Sequence, residues 1–237
     1  MFLSIVIPAY NEGNVLKKNL ELINEYFTDK FSFEIIVIND GSNDDTNSIL
    51  HQLKIKNLSI YNNLKNRGKG ASIRKGVKKS KGKIVLIADA DLSAPINQFE
   101  KLYDELNKGY DIVIGSRSTN DAKVIVSQPF KRVITGKVYN LLVKFVLGLN
   151  FKDTQCGFKL FDGKKIRNII NICKINNFSI DAEILFLAKS FNLKVFEKGI
   201  VWKNNTFSKV SLIKDPLFML IDLFRIRFSI YNIKNNL

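Results

Sequence analysis

Asp89 and Asp91 stand one residue apart at the end of an apolar run, Lys83-Ile84-Val85-Leu86-Ile87-Ala88. An Asp-x-Asp pair leaving a buried strand puts two hard oxygen ligands on one loop. Such a pair suits Mg²⁺ or Mn²⁺ bridging a diphosphate, because Mg²⁺ takes one or two carboxylates and fills its other positions with phosphate oxygens and water. The chemistry served is departure of a nucleoside diphosphate, whose developing negative charge a metal neutralises. A single aspartate commonly serves only as a cap or turn residue. The pair gains weight from Asp40, which ends a second apolar run in Ile38-Asn39-Asp40-Gly41-Ser42. A third run leads into Pro8-Ala9-Tyr10-Asn11-Glu12, where an aromatic ring and an acid can hold a base and ribose. Asn66-Arg67-Gly68-Lys69-Gly70 opens a helical stretch, so free N–H groups and the Lys69 ammonium can approach phosphate there. On its own that glycine signal is weak, since an ordinary turn has the same composition.

The elements that must position these residues are legible in the first half. Short β-branched runs alternate with helical spacing, predicting strands at 3–8, 33–38, 58–61, 83–88 and 111–115. Helices are expected at 15–27, at 44–53 with Ser42 or Asp44 as cap, from the Gly68 loop through 79, and at 96–108. This alternation implies the α/β class: an open, mostly parallel twisted sheet with helices on both faces. Ligands of such sheets lie at the carboxyl ends of the strands, where Asp40, Asp89 and Asp91 fall. The second half is less regular. A helix is expected at 130–149, its apolar face built from Val133, Tyr139, Leu142, Val143, Val146 and Leu147, with Lys131, Arg132, Lys137 and Lys144 among them. A polar loop or short strand follows at 153–159, then a helix at 181–190 and a strand at 194–200.

Composition removes whole classes of chemistry. The 237 residues are 46% hydrophobic and 25% charged, a globular balance with enough chain for a substantial core. The formal charge is +15, unevenly spread: residues 1–120 carry 17 basic and 14 acidic side chains, residues 121–237 carry 20 and 8. Such a balance points either to an anionic partner that meets the second half, whether nucleic acid, a membrane surface or a phosphorylated substrate, or to a lysine-rich surface that merely keeps the protein soluble. Nucleic acid fits poorly, because the aromatics do not alternate with basic residues as a stacking platform does. A single histidine, His51, excludes histidine triads and histidine-rich zinc sites. Cys156 and Cys173 form neither a CxxC pair nor a disulfide framework, which suits a reducing compartment. No GxGxxG follows the first strand, against a dinucleotide oxidoreductase. The run at 2–9 is too short for a signal peptide and lacks a basic flank. No stretch approaches about 18 uninterrupted apolar residues. The chain is expected to be soluble or peripheral; joined to the lipid acceptor argued below, the expected location is cytoplasmic, peripheral on the cytoplasmic face of a membrane.

Taken together, three segments resemble family 2 inverting glycosyltransferases with a GT-A fold: 4–12 (Ser-Ile-Val-Ile-Pro-Ala-Tyr-Asn-Glu), 37–46 (Val-Ile-Asn-Asp-Gly-Ser-Asn-Asp-Asp-Thr) and Asp89-Ala90-Asp91. Val113-Ile114-Gly115-Ser116-Arg117 and the stretch 153–161 (Asp-Thr-Gln-Cys-Gly-Phe-Lys-Leu-Phe) are similar to the polyprenyl-phosphate branch, particularly dolichyl-phosphate β-glucosyltransferases. Phe178-Ser179-Ile180-Asp181-Ala182-Glu183 and Ser208-Lys209-Val210-Ser211 extend the likeness over roughly residues 3–212. The resemblance implies a nucleotide sugar donor, with UDP-glucose foremost, and a polyprenyl or dolichyl phosphate acceptor. It implies that Pro8, Tyr10, Glu12, Asp40 and Asp89 hold the nucleotide, to which the Gly68 loop reading adds Lys69, and that Asp91, with Asp89, holds Mg²⁺ or Mn²⁺. Arg117, Arg132 and Lys209 would face the acceptor phosphate. Where mannosyltransferase relatives place Gln two residues after the second metal-site aspartate, this chain has Ser93, which leaves that ligand position in question. Residues 1–208 are expected to form the catalytic domain, divided near 120 into a nucleotide-sugar half and an acceptor half. Residues 209–237 are expected to form an amphipathic, membrane-associated segment.

The acceptor chemistry can be argued separately. A sugar hydroxyl must lose a proton to a general base before it attacks. A phosphate monoester, with a second pKa of about 6, already carries its charge at neutral pH. It needs cationic positioning instead, for which the planar fork of arginine is well suited. Arg117 at a strand end and Arg132 at a helix start supply it. Asp181 and Glu183 fall where a glycan-hydroxyl transferase would hold its base; they can equally orient active-site cations or simply start a helix. A lipid acceptor also demands an interface, and the helix at 130–149 and the tail at 212–230 combine apolar faces with Lys and Arg as interfacial helices do.

Overall fold

The computed structural model describes residues 1–204 and 214–231. In chain order its elements are β1 (Leu3–Ala9), α1 (Gly13–Thr28), β2 (Phe33–Asn39), α2 (Thr46–Gln52), β3 (Leu58–Asn62), α3 (Lys69–Lys79), β4 (Ile84–Ala88), a 3₁₀ turn (Ile96–Gln98) running into α4 (Phe99–Asn107), and β5 (Ile112–Ser116). These continue with β6 (Lys123–Val126), α5 (Phe130–Leu147), β7 (Phe158–Asp162), α6 (Gly163–Ile172), α7 (Ile180–Ser190), β8 (Val195–Gly199), β9 (Val201–Lys203) and α8 (Lys214–Phe228). Seven strands form one sheet in the order β3-β2-β1-β4-β7-β5-β8. All neighbours are parallel except β7, which runs antiparallel between β4 and β5. The expected α/β architecture is therefore present, with one inserted strand.

The core follows from sequence periodicity. Strands β1, β2 and β4 are covered on both faces, so they consist of almost unbroken Val, Ile and Leu. On one face, α1 presents Leu16, Leu20, Ile23 and Phe27 at helical spacing, all buried. Each such side chain contributes about 1.5–3 kcal/mol on burial. Phe27 sits edge-on to Phe99 at 5.0 Å and tilted against Phe33 at 5.8 Å, locking α1 to α4. On the other face lie α3, α5, α6, α7 and α8. Helix α3 packs very close to the sheet: a Cβ at Gly76 would overlap Val6 of β1, so glycine is needed there.

Several elements differ from the sequence expectation. Helix α2 begins at Thr46, whose N–H donates to Asp44 at 3.0 Å, whereas the Ser42 hydroxyl accepts from Asn11 N at 2.9 Å and staples the loop after β1. The stretch 153–159 resolves into a turn followed by β7. Helix α6 was not anticipated; Asp162 caps it, accepting from Lys165 N at 2.9 Å. Strands β6 and β9 pair in a small separate sheet.

Helix α5 carries two apolar faces. Tyr139, Val143 and Leu147 are buried and Leu142 and Val146 partly covered, as the spacing predicts. A second stripe, Phe130, Ile134, Val138, Leu141 and Phe145, is exposed. Helix α8 packs against α5 through a buried side containing Leu223 and Ile226, and exposes Leu217, Phe218, Ile221, Phe224 and Phe228.

Candidate functional site

The carboxyl ends of β1, β2, β4 and β5 open into a cavity of about 550 Å³. Pro8, Tyr10, Glu12, Asp40, Lys69, Asp89, Asp91, Arg117 and Arg132 all line it. Asp181 lies behind this wall, and Lys209 falls outside the described residues.

One wall is the loop system after β1, β2 and β3. Asp40 is almost wholly buried; it accepts from Asn63 Nδ2 at 2.7 Å, Arg67 N at 3.0 Å and Gly68 N at 2.8 Å. Asp40 thereby shapes the Gly68 loop as well as lining the cavity. Gly68 has a φ of 93°, and a Cβ there would strike the Asn176 carbonyl, so the loop needs glycine to lie against residues 175–177. The loop at 174–177 is itself held by Glu183, which accepts from Lys174 N at 2.7 Å, Ile175 N at 2.9 Å and the Tyr231 hydroxyl at 2.8 Å. Glu183 is fully buried and spends its oxygens on this anchor.

The floor carries an alternating line of charge. Lys159 of β7, with 0% exposure, donates to Asp181 Oδ1 at 2.5 Å and to the Cys156 carbonyl. Asp181 Oδ2 lies 4.0 Å from Lys69 Nζ, which in turn lies 2.7 Å from Asp89 Oδ1. Burial alone would lower the Lys69 pKa, but Asp89 and Asp181 outweigh it and raise it, so this ammonium stays charged. Asp91 is held by Ser93, accepting from its N–H at 2.9 Å and its hydroxyl at 2.8 Å. Burial and then the charge of Asp89 push the Asp91 carboxyl above its ordinary value. Two carboxylates close enough to repel are a ready place for a hard cation. Among the described residues no cluster of three or more His, Cys, Asp or Glu could hold a metal, so a cation here needs oxygens from its ligand as well.

The facing wall is cationic. Arg117, leaving β5, donates through Nε at 2.7 Å and Nη2 at 2.8 Å to Asp153, and lies 5.4 Å from the Trp202 ring centre. Burial disfavours its charge, yet Asp153 more than offsets this and the pKa is raised. Arg132 of α5 has no ion-pair partner among the described residues. Burial lowers its pKa, and the nearby charge of Arg117 lowers it further. Arg117 and Arg132 thus bring two positive charges to one side of the cavity.

The sequence reading passed over Asp153, Gly157 and Lys159 as individuals, although all stand in the quoted 153–161 stretch. A Cβ at Gly157 would overlap the Asp89 carboxylate, and the Gly157 carbonyl accepts from Asp89 N at 3.1 Å. A bare lysine in an apolar strand gives no advance sign of burial.

The Asp153 carboxyl is disfavoured as an anion by burial, but Arg117 overcomes this and depresses its pKa. A depressed carboxylate stabilises the fold above its unfolded pKa of about 3.9 and loses that contribution as pH falls. Asp153→Ala is expected to lower the unfolding free energy by about 3 kcal/mol at pH 7, measured in urea, with the difference shrinking below pH ~4. An unchanged urea midpoint at pH 7 would contradict the clamp.

Comparison with known proteins agrees with this geometry. The family model "Glycosyl transferase family 2" matches residues 4–170. Dolichyl-phosphate beta-glucosyltransferase of Dictyostelium discoideum is 33% identical over 243 residues, covering 96% of this chain and 74% of that protein. The protein of the same name from Saccharomyces cerevisiae is 32% identical, covering 97% and 75%. Among solved structures, glucosyl-3-phosphoglycerate synthase from Mycobacterium tuberculosis, in complex with Mn²⁺, uridine-diphosphate and glucosyl-3-phosphoglycerate, superposes with a TM-score of 0.68. It shares 19% identity, with 95% of this chain and 78% of that one covered. The chain belongs to glycosyltransferase family 2, and it is an enzyme of the GT-A fold.

Proposed function

We propose that this enzyme transfers glucose from UDP-glucose, with inversion, to a polyprenyl phosphate of the dolichyl type at a membrane surface. The observation that carries the reading is one cavity with paired aspartates on its floor and two repelling arginines opposite, beside helices that expose apolar stripes. The two curated relatives described above bear names that specify this sugar and this acceptor.

In this reading the nucleoside lies against Pro8, Tyr10, Glu12 and Asp40, with its diphosphate toward Lys69, Asp89 and Asp91. Asp89 and Asp91 would hold Mg²⁺ or Mn²⁺, which when bound neutralises charge on the departing diphosphate. Arg117 and Arg132 hold the lipid phosphate, aided by Lys209. A phosphate oxygen attacks the anomeric carbon from the side opposite the diphosphate. The new C–O bond forms as the old one breaks, and the electron pair leaves on UDP. No proton needs to be removed, so no base is required. Asp181, pinned by Lys159 and facing Lys69, suits positioning of charge rather than proton transfer.

The membrane enters through α5 and α8. The exposed stripe of α5 is flanked by Lys131, Lys137 and Lys144, and α8 exposes Arg225 and Arg227. Apolar residues entering the headgroup boundary with basic residues toward anionic lipid is the pattern of interfacial helices. No helix among the described residues is long and apolar enough to cross a membrane. In this reading the enzyme attaches peripherally through these stripes, on the cytoplasmic face of a membrane. We read residues 1–208 as the catalytic domain and the segment from 209 as its membrane-facing extension; Pro216 and Met219 of α8 also line the cavity.

Purified enzyme with Mn²⁺, labelled UDP-glucose and a polyprenyl phosphate is expected to yield a lipid-linked monosaccharide. Asp91→Ala should reduce turnover by at least ~10³-fold, and Arg117→Ala should chiefly raise KM for the lipid phosphate. Full activity in Asp91→Ala would refute the donor-site assignment. Lipid attachment is checked by co-flotation with anionic vesicles: Phe145→Asp with Phe224→Asp is expected to cut binding about tenfold without lowering the melting temperature. Equal flotation of parent and variant would show that these stripes do not meet lipid.

A further inference from the structure

We propose that Gln155 reads the transferred hexose, donating a hydrogen bond from its carboxamide to a sugar hydroxyl. The inference rests on the donor and acceptor sites assigned above. Gln155 stands in the middle of the turn 153–157, the last five residues of the connection between α5 and β7. At one end of that turn, Asp153 holds Arg117; at the other, Gly157 packs on the carboxylate of Asp89 and binds its backbone N–H. The turn thus spans from the acceptor wall to the donor floor. The reacting sugar must lie between a leaving diphosphate and an attacking phosphate, which is where Gln155 stands.

The side chain has the chemistry for a neutral partner. Gln155 lines the cavity, its backbone N–H donates to Asp153 Oδ1 at 3.2 Å, and its Nε2 is buried with no hydrogen-bond partner among the described residues. Buried donors in folded proteins are nearly always paired, so this one calls for a partner that arrives with the ligand. The surrounding phosphates have their cations in Lys69, Arg117 and Arg132. An uncharged amide adds little to them, but it matches a hydroxyl oxygen. A site built to hydrogen-bond a hydroxyl rejects analogues lacking it, because the donor is then left unsatisfied. Gln155 is accordingly a specificity residue for the sugar, separate from the groups that bind the nucleotide.

The test is calorimetric titration of the full chain with UDP and with UDP-glucose, both with Mn²⁺, for the parent, Gln155→Leu and Gln155→Asn. Gln155→Leu removes a donor that is unpaired in the free protein, so its melting temperature should not fall. It is expected to weaken UDP-glucose at least tenfold while changing UDP less than twofold. In turnover assays, its preference for UDP-glucose over UDP-deoxyglucose donors should shrink by a similar factor, with Gln155→Asn intermediate. Equal losses for UDP and UDP-glucose, or unchanged UDP-glucose binding and selectivity, would overturn the role of Gln155 alone. A parent protein that binds UDP-glucose no better than a nucleotide-free control would overturn the donor assignment and this inference with it.

Discussion

The ion pair between Lys159 and Asp181 is the constraint on which the site is built. Lys159 sits on β7, the strand that intrudes antiparallel into an otherwise parallel sheet, and has no exposed surface. An ammonium in that position is tolerable only with a carboxylate and further acceptors around it. Asp181 and the Cys156 carbonyl provide them, which fixes both the start of α7 and the turn before β7. From there the charges alternate outward through Lys69 to Asp89, so an electrostatic need in the core sets the position of groups on the cavity floor. Buried ion pairs do not always add stability, but removing one partner from such a pair is costly.

The turn that leads into the same strand brings acidic and basic side chains to one cavity. The turn at 153–157 clamps Arg117 at its beginning and packs on Asp89 at its end. Asp89 and Arg117 are thus tied to one short piece of chain, whose spacing cannot drift without disturbing both. Arg117, already satisfied by Asp153, brings a fixed fork; Arg132, repelled by it, leaves positive charge for a ligand to neutralise. The uneven charge of the sequence acquires a location in this way: its basic half supplies Arg132 and the lysines and arginines of α5 and α8, while Arg117 comes from the nearly balanced half.

Much of this was legible before the structure. Strand-end acids are visible because apolar runs stop abruptly at Asp40 and Asp89, and open α/β sheets gather ligands at those ends. What stayed hidden depends on long-range pairing. An antiparallel strand such as β7 carries no local sign that distinguishes it from a parallel one, and its lysine reads as a solvent-facing residue until Asp181 is placed beside it. The interfacial character of α5 is legible in its mix of apolar and basic residues, but Phe130, Ile134, Val138, Leu141 and Phe145 are interleaved with the inward stripe, so periodicity alone does not say which residues are left uncovered. Asp181 shows the limit in reverse. Its sequence position allows a base, a cation-orienting group or a helix start, and the two lysines that bear on the choice come from β7 and α3, far away in the chain.

The dependence of the site on the buried pair is tested most directly by urea unfolding of Lys159→Met beside the double variant Lys159→Met/Asp181→Leu. Loss of the lysine alone leaves a buried carboxylate without its closest cation, and the single variant is predicted to lose about 3 kcal/mol of unfolding free energy. The double variant, with an apolar pair of similar volume, is predicted to recover most of that loss. A single variant as stable as the parent would contradict the claim that this ion pair holds β7 and α7 together beneath the site.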